Sequence, residues 1–161
     1  MRAMASASDR GVMPISTASP PEGTWPERVI IIDDHDISRA ACTALLRAEG
    51  IDVTADLAAS DQAFTATRAL RPDVVIIDVT PAADAGFGIA HRLCALPVPP
   101  IVILTSSSDR TLFGAQLDGY LFIAKADICA AAIARLAKTP KPTDHNHQIP
   151  VFPADHPRPA G

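Results

Sequence analysis

The sequence predicts an α/β domain, a doubly wound parallel sheet of five strands with helices packed on both of its faces. Two observations predict it. Between Arg28 and Lys138, five short apolar runs rich in β-branched residues alternate with amphipathic, alanine-rich stretches, the pattern of linked βα units. Three of those runs are apolar throughout rather than alternating, as parallel strands covered on both faces are. Right-handed crossovers then distribute the helices over the two faces.

Each element has its own signal. "RVIII" (28–32) is the first strand, followed by "ISRAACTALLRAEG" (37–50) as a helix. In that helix Ile37, Ala41, Leu45 and Ala48 fall on one face, Asp36 stands where a cap belongs and Gly50 where a terminating glycine belongs. "IDVTA" (51–55) is the second strand, and the helix after it runs from Ser60 to Leu70 and is ended by Pro72. "DVVII" (73–77) is the third strand, with a helix from Asp84 to Ala95 that stops before Pro97. "PIVIL" (100–104) leads into a short helix, "SDRTLFGAQL" (108–117), which carries Gly114 inside it. "YLFIA" (120–124) precedes the last helix, "DICAAAIARLAK" (127–138), where Asp127 near the start and Arg135 and Lys138 near the end complement the helix dipole.

The flanks read differently. Four prolines lie before Arg28 and six after Lys138, and both flanks are poor in large apolar residues. Residues 1–27 are therefore expected to be a disordered extension and residues 139–161 a disordered proline-rich tail, around one folded domain at 28–138. The first residues have an early Arg but no apolar core, so they read as neither a signal peptide nor an anchor, and Met4 and Met13 are alternative starts. A run of about 18 apolar residues, the minimum for a spanning helix, is missing. The net charge is -4 with no basic cluster, which excludes the electrostatic footprint of a nucleic-acid binder. Cys42, Cys94 and Cys129 lie far apart in helical stretches and read as ordinary thiols of a reducing cytoplasm. His145, His147 and His156 with Asp144 read as solvated tail residues rather than a metal site.

The chemistry sits where strands end. In doubly wound sheets ligands bind beyond the carboxyl ends of the strands. Asp33 and Asp34 close the first strand and Asp78 the third, so three carboxylates are expected on one edge. They resist full ionisation unless a cation shares them. Mg²⁺ suits this set, because it takes one or two carboxylates, keeps several waters and accepts phosphate oxygens. Thr105 ends the fourth strand and Lys125 the fifth, and Lys125 is the only lysine before Lys138. A compact ammonium serves a single phosphoryl oxygen or carboxylate, whereas guanidinium favours a planar fork.

This set, Asp33, Asp34, Asp78, Thr105 and Lys125 in that order at strand ends, resembles the receiver domain of bacterial two-component response regulators, over Arg28 to Lys138. The resemblance implies a flavodoxin-like sheet of order 2-1-3-4-5 with five helices. It also implies that Asp78 is the phosphoacceptor, with Asp33, Asp34, Asp78 and the backbone carbonyl of Thr80 holding Mg²⁺. Thr105 and Lys125 then contact the phosphoryl group, and Phe122 is the aromatic switch on the output face. The expected role is that of a stand-alone cytoplasmic signalling protein rather than an enzyme. It takes a phosphoryl group from a sensor histidine kinase or a histidine phosphotransfer protein and passes the signal to a downstream protein. A homodimer through the fourth and fifth helices is part of the same expectation, and DNA binding by this chain and membrane association are not.

Some features depart from the pattern. Pro81 stands three residues after Asp78 rather than four, whereas Gly86 keeps the usual spacing. The stretch from Thr105 to Lys125 is slightly short, and Ala126 replaces the commoner proline. "FIAKADI" resembles the branch often attached to helix-turn-helix output domains, but the residues after Lys138 are too few and too proline-rich for one. These departures leave one alternative, a degenerate pseudo-receiver acting as a constitutive interaction module. A dehalogenase-like phosphohydrolase, which also forms an aspartyl phosphate, needs a second Asp two residues past its nucleophile, where this chain has Thr80.

Overall fold

The computed structural model describes residues 28–139. The strands are β1 (Val29–Ile32), β2 (Val53–Leu57), β3 (Val74–Asp78), β4 (Ile101–Ser106) and β5 (Leu121–Ala124). All pairings are parallel, and the order across the sheet is β2-β1-β3-β4-β5. The helices are α1 (Asp36–Ala48), α2 (Asp61–Leu70), α3 (Ala85–Cys94) and α4 (Ala130–Ala137), with a 3-10 segment at Arg110–Leu117 in fourth place. The flavodoxin-like class and strand order expected from the sequence are those observed.

Alternation along the strands divides the core in two. Val29, Ile31, Val74, Ile76 and Ile103 point to the face covered by α1 and α4, where Leu46 and Ile133 meet them. Ile30, Ile32, Val75, Ile77 and Leu104 point to the other face, against Ile89 and Leu93 of α3 and Phe113. With both faces covered, the central strands are apolar at every position, as the sequence pattern requires.

Several local expectations need correction. The face of α1 formed by Ile37, Ala41, Leu45 and Ala48 is not buried: Ile37 is 88% and Leu45 43% exposed. The helix instead packs through Arg39, Cys42, Thr43 and Leu46, because the Arg39 guanidinium is tied to the Asp33 carbonyl and to the Asp36 carboxylate. Asp36 is thus the first helical residue and a partner of Arg39 rather than a cap; His35 holds the cap position without a side-chain bond. β2 starts two residues later than the apolar run "IDVTA" does. Gly50 N–H donates to the Arg47 carbonyl and Ile51 N–H to the Leu46 carbonyl, a Schellman closure of α1 that commits Ile51 to the helix end.

The fourth connection is tighter than an α-helix and is kinked at Gly114, whose φ of 52° and ψ of -128° suit glycine alone. α4 begins at Ala130, not Asp127, because Lys125–Asp127 form a separate 3-10 turn. Its first amide, Ala130 N–H, is satisfied by the carboxylate of Glu49 from the end of α1, an anion at a helix N-terminus supplied from 81 residues away in the chain. Cys129 consequently sits at the cap position rather than within a helix.

Candidate functional site at the carboxyl ends of the strands

The site is built on β1, β3, β4 and β5. Asp33 directly follows β1 and is only 2% exposed. One of its oxygens accepts from the His35 backbone N–H at 2.8 Å, the other from Lys125 Nζ at 2.9 Å. The same ammonium lies 2.8 Å from Asp78 Oδ1 at the end of β3. Lys125 therefore bridges two carboxylates across the sheet, held there by the turn that delays α4. Thr105 is paired in register with Asp78, is 3% exposed, and its hydroxyl is buried with no hydrogen-bond partner among the described residues.

The electrostatics separate the two acids. Burial pushes Asp33 upward, but bonds from Lys125, the His35 amide and Ser38 outweigh it and hold Asp33 below the ordinary carboxylate value. Asp78 is raised: burial dominates, Lys125 only partly offsets it, and the Asp33 charge adds to the rise. Lys125 loses by desolvation yet is raised on balance by Asp78 and Asp33. A proton is thus harder to remove from Asp78 than from Asp33. The site stores an acid that is costly to leave ionised without a further cation.

Asp34, Thr80 and Phe122 stand apart from this core. Asp34 is exposed and accepts from the Ala59 N–H at 2.7 Å, so it faces the loop after β2. Thr80 is exposed, and its carbonyl accepts from Ala83 N–H at 3.2 Å in the turn that contains Pro81. Among the described residues no group of three metal-ligating side chains is gathered. The expected convergence of three carboxylates is realised for two. Phe122 is half-buried, 6.0 Å from the Phe113 ring with the Arg110 guanidinium 5.5 Å from its centroid.

Three contributors were not singled out as site residues by sequence reasoning. Arg39 anchors the β1 end through the Asp33 carbonyl, and nothing in the sequence distinguishes it from a solvated helix arginine. Ala59 acts through its amide, which no side-chain pattern can signal. Gly86 packs against the acceptor strand: a Cβ there would meet the Asp78 carbonyl oxygen at 2.7 Å and Val79 Cγ1 at 3.0 Å. Its spacing from Asp78 was the available signal. Cys42, near the site on α1, has a thiol pushed up to about 11 by burial, with Asp33 adding to the effect, so it is an unreactive thiol there.

Residues 29–131 match the model of the response regulator receiver domain. The chain belongs to this receiver family. It is similar to the protein-glutamate methylesterase/protein-glutamine glutaminase 2 of Anaeromyxobacter dehalogenans, 37% identical over 103 residues, 63% of this chain and 30% of that protein. It is also similar to the DNA-binding response regulator MtrA of Mycolicibacterium smegmatis, 37% identical over 86 residues, 53% of this chain and 37% of MtrA. The chain thus spans well under half the length of these relatives. Among solved structures, the receiver domain of the NarL response regulator of Mycobacterium tuberculosis superposes with a TM-score of 0.56 at 25% identity, over 69% of this chain and 92% of that one. No helix among the described residues is long and apolar enough to cross a membrane. Apart from Thr139, the flanks expected to be disordered, with Met4, Met13, Asp144, His145, His147 and His156, lie outside the described residues.

Proposed function

We propose that this receiver is a phosphoacceptor, with Asp78 taking a phosphoryl group from the phosphohistidine of a sensor kinase or of a histidine phosphotransfer protein. The observation that carries the reading is Lys125 Nζ held 2.8 Å from Asp78 and 2.9 Å from Asp33, beside the unpartnered Thr105 hydroxyl. An orphaned buried donor of this kind costs stability unless a ligand uses it. The donor set is hard oxygen throughout, which fits Mg²⁺. Asp33, Asp34, Asp78 and the Thr80 carbonyl would hold the ion, Asp34 after turning from Ala59. When bound, the metal neutralises charge that develops on the transferring phosphoryl group.

The chain's own residues account for the remaining steps. An oxygen of the ionised Asp78 carboxylate forms a bond to phosphorus as the P–N bond to the donor imidazole breaks, and the imidazole nitrogen leaves with the electron pair and is then protonated by water. Lys125 follows the new charge, pairing with a phosphoryl oxygen in place of Asp78. Thr105 donates its hydroxyl to a second oxygen. Movement of Thr105 vacates space beside β5, and Phe122 turns inward, changing the face formed by the 3-10 segment, β5 and α4, which a downstream protein reads. On this reading the protein acts in the cytoplasm, signalling by contact and not by catalysis. That face is also where a homodimer would form. The methylesterase and DNA-binding activities in the relatives' names belong to those proteins.

One observation favours a second reading, a constitutive pseudo-receiver: Asp34 and the Thr80 carbonyl are both engaged within the protein. Intact mass after incubation with Mg²⁺ and acetyl phosphate separates the two. The phosphoacceptor reading expects a labile adduct of one phosphoryl group in the wild type and none in Asp78→Asn. An unmodified wild type in the presence of Mg²⁺ would favour the pseudo-receiver.

A further inference from the structure

The mouth between β1 and β2 is where their ladder breaks off. Asp33 N–H still donates to the Leu57 carbonyl at 2.9 Å. In a parallel pair the next bond runs back to the carbonyl of that same residue, from the amide two places further along the partner strand, which here is Ala59 N–H to the Asp33 carbonyl. Among the described residues neither group makes that bond. The Asp33 carbonyl accepts from Arg39 Nη1 instead, and Ala59 N–H donates to Asp34 Oδ1 at 2.7 Å. One ladder bond is thus exchanged for two side-chain bonds.

Arg39 is placed to make the exchange. Its side chain is only 16% exposed, and its fork also reaches Asp36 of α1 and, from Nε at 3.4 Å, Asp56 of β2. The guanidinium therefore lies across the mouth, joining the Asp33 carbonyl to the strand that would supply its ladder partner, and its planar fork fixes it there. We propose that Arg39 and the Ala59 amide form a latch that positions Asp34: with the Asp33 carbonyl taken by Arg39, Ala59 N–H holds the Asp34 carboxylate toward the loop after β2 until a divalent cation draws it to Asp33 and Asp78. The latch rests on the Mg²⁺ site proposed above and adds two positioning groups to it. It also gives Arg39 a signed effect. An amide without a partner costs stability, so removing the guanidinium lets Ala59 N–H close onto the Asp33 carbonyl and frees Asp34 for the metal. Loss of a residue that only braced the site would weaken metal binding instead.

The test compares the full-length wild type with Arg39→Met, reading Mg²⁺ affinity by calorimetry and through-hydrogen-bond couplings by NMR. The metal-free wild type should show a coupling from the Ala59 nitrogen to the Asp34 carboxylate carbon, lost when Mg²⁺ saturates the protein. Arg39→Met should show the coupling to the Asp33 carbonyl carbon instead. It should bind Mg²⁺ severalfold more tightly while unfolding at lower urea. The gain should persist in about 1 M KCl, where the field of a removed charge is screened within about 3 Å. Unchanged or weaker Mg²⁺ binding by Arg39→Met, or a gain abolished by KCl, would overturn the latch and leave the metal site standing. If Arg39→Met does not fold, the wild type decides: an Ala59–Asp34 coupling that survives Mg²⁺ saturation overturns the latch. A wild type that binds no Mg²⁺ overturns the metal site itself, and the latch with it.

Discussion

Lys125 carries more of the site than any other side chain, because it compensates two buried or half-buried carboxylates at once. Removing one partner of a buried ion pair strands the other charge, at a cost of about 3–5 kcal/mol. Lys125→Met should therefore lower stability by about 3 kcal/mol, nearer the low end because the ammonium is partly exposed, as read by urea denaturation. Mg²⁺ should restore part of that loss. Gly86→Ala tests a different contact: the added methyl collides with the Asp78 carbonyl, and overpacking of this kind costs about 1–3 kcal/mol. It should slow phosphorylation as well as destabilise. The pH response follows from opposite shifts. Asp33 lies below its ordinary value, so its contribution is present above that value and is lost as pH falls through the lowered pKa. Asp78 is raised, so its contribution is present in acid and is lost as pH rises through the raised pKa. Without Mg²⁺, Asp78→Asn should thus be more stable than the wild type at neutral pH, with the gap closing as the pH is lowered toward the ordinary carboxylate range.

At the scale of elements, legibility depended on whether an element's partners lie nearby in sequence. The β-branched runs gave β1, β3, β4 and β5 within two residues of their observed ends, since strands buried on both faces declare themselves by composition alone. α1 was placed correctly and oriented wrongly, because its buried stripe includes Arg39 and Thr43, which hydrophobic counting assigns to solvent. The start of α4 depends on Glu49, far away in the chain, and the shift of β2 on a helix closure that consumes Ile51. The placing of Asp33, Asp78, Thr105 and Lys125 at one end of the sheet was legible from strand-end position; the bond of Asp34 to the Ala59 amide was not, as it depends on a loop amide. The 3-10 segment offers its own test. Gly114→Ala forces an L-residue into a region that costs about 1–3 kcal/mol, and should lower thermal stability by that amount. Hydrogen exchange should show the loss concentrated around Phe113 and Leu117.

Among the described residues, the sheet carries different chemistry at its two ends. The strand carboxyl ends gather carboxylates, an ammonium and a hydroxyl, while the opposite end presents prolines and arginines. Any ligand that binds only the folded state stabilises it, by about 2.7 kcal/mol at a hundredfold excess over Kd. Mg²⁺ titration should accordingly raise the melting temperature of the wild type, and less so that of Asp78→Asn. The chemical identity of the acceptor decides how the site works. It is tested most directly by exposing the full chain to Mg²⁺ and acetyl phosphate, reducing the product with borohydride and sequencing the peptides by tandem mass spectrometry. Residue 78 should be recovered as homoserine, the reduction product of an aspartyl phosphate, with Asp33 and Asp34 unmodified. Recovery of unmodified Asp78 from the treated wild type, or homoserine at another aspartate, would contradict it.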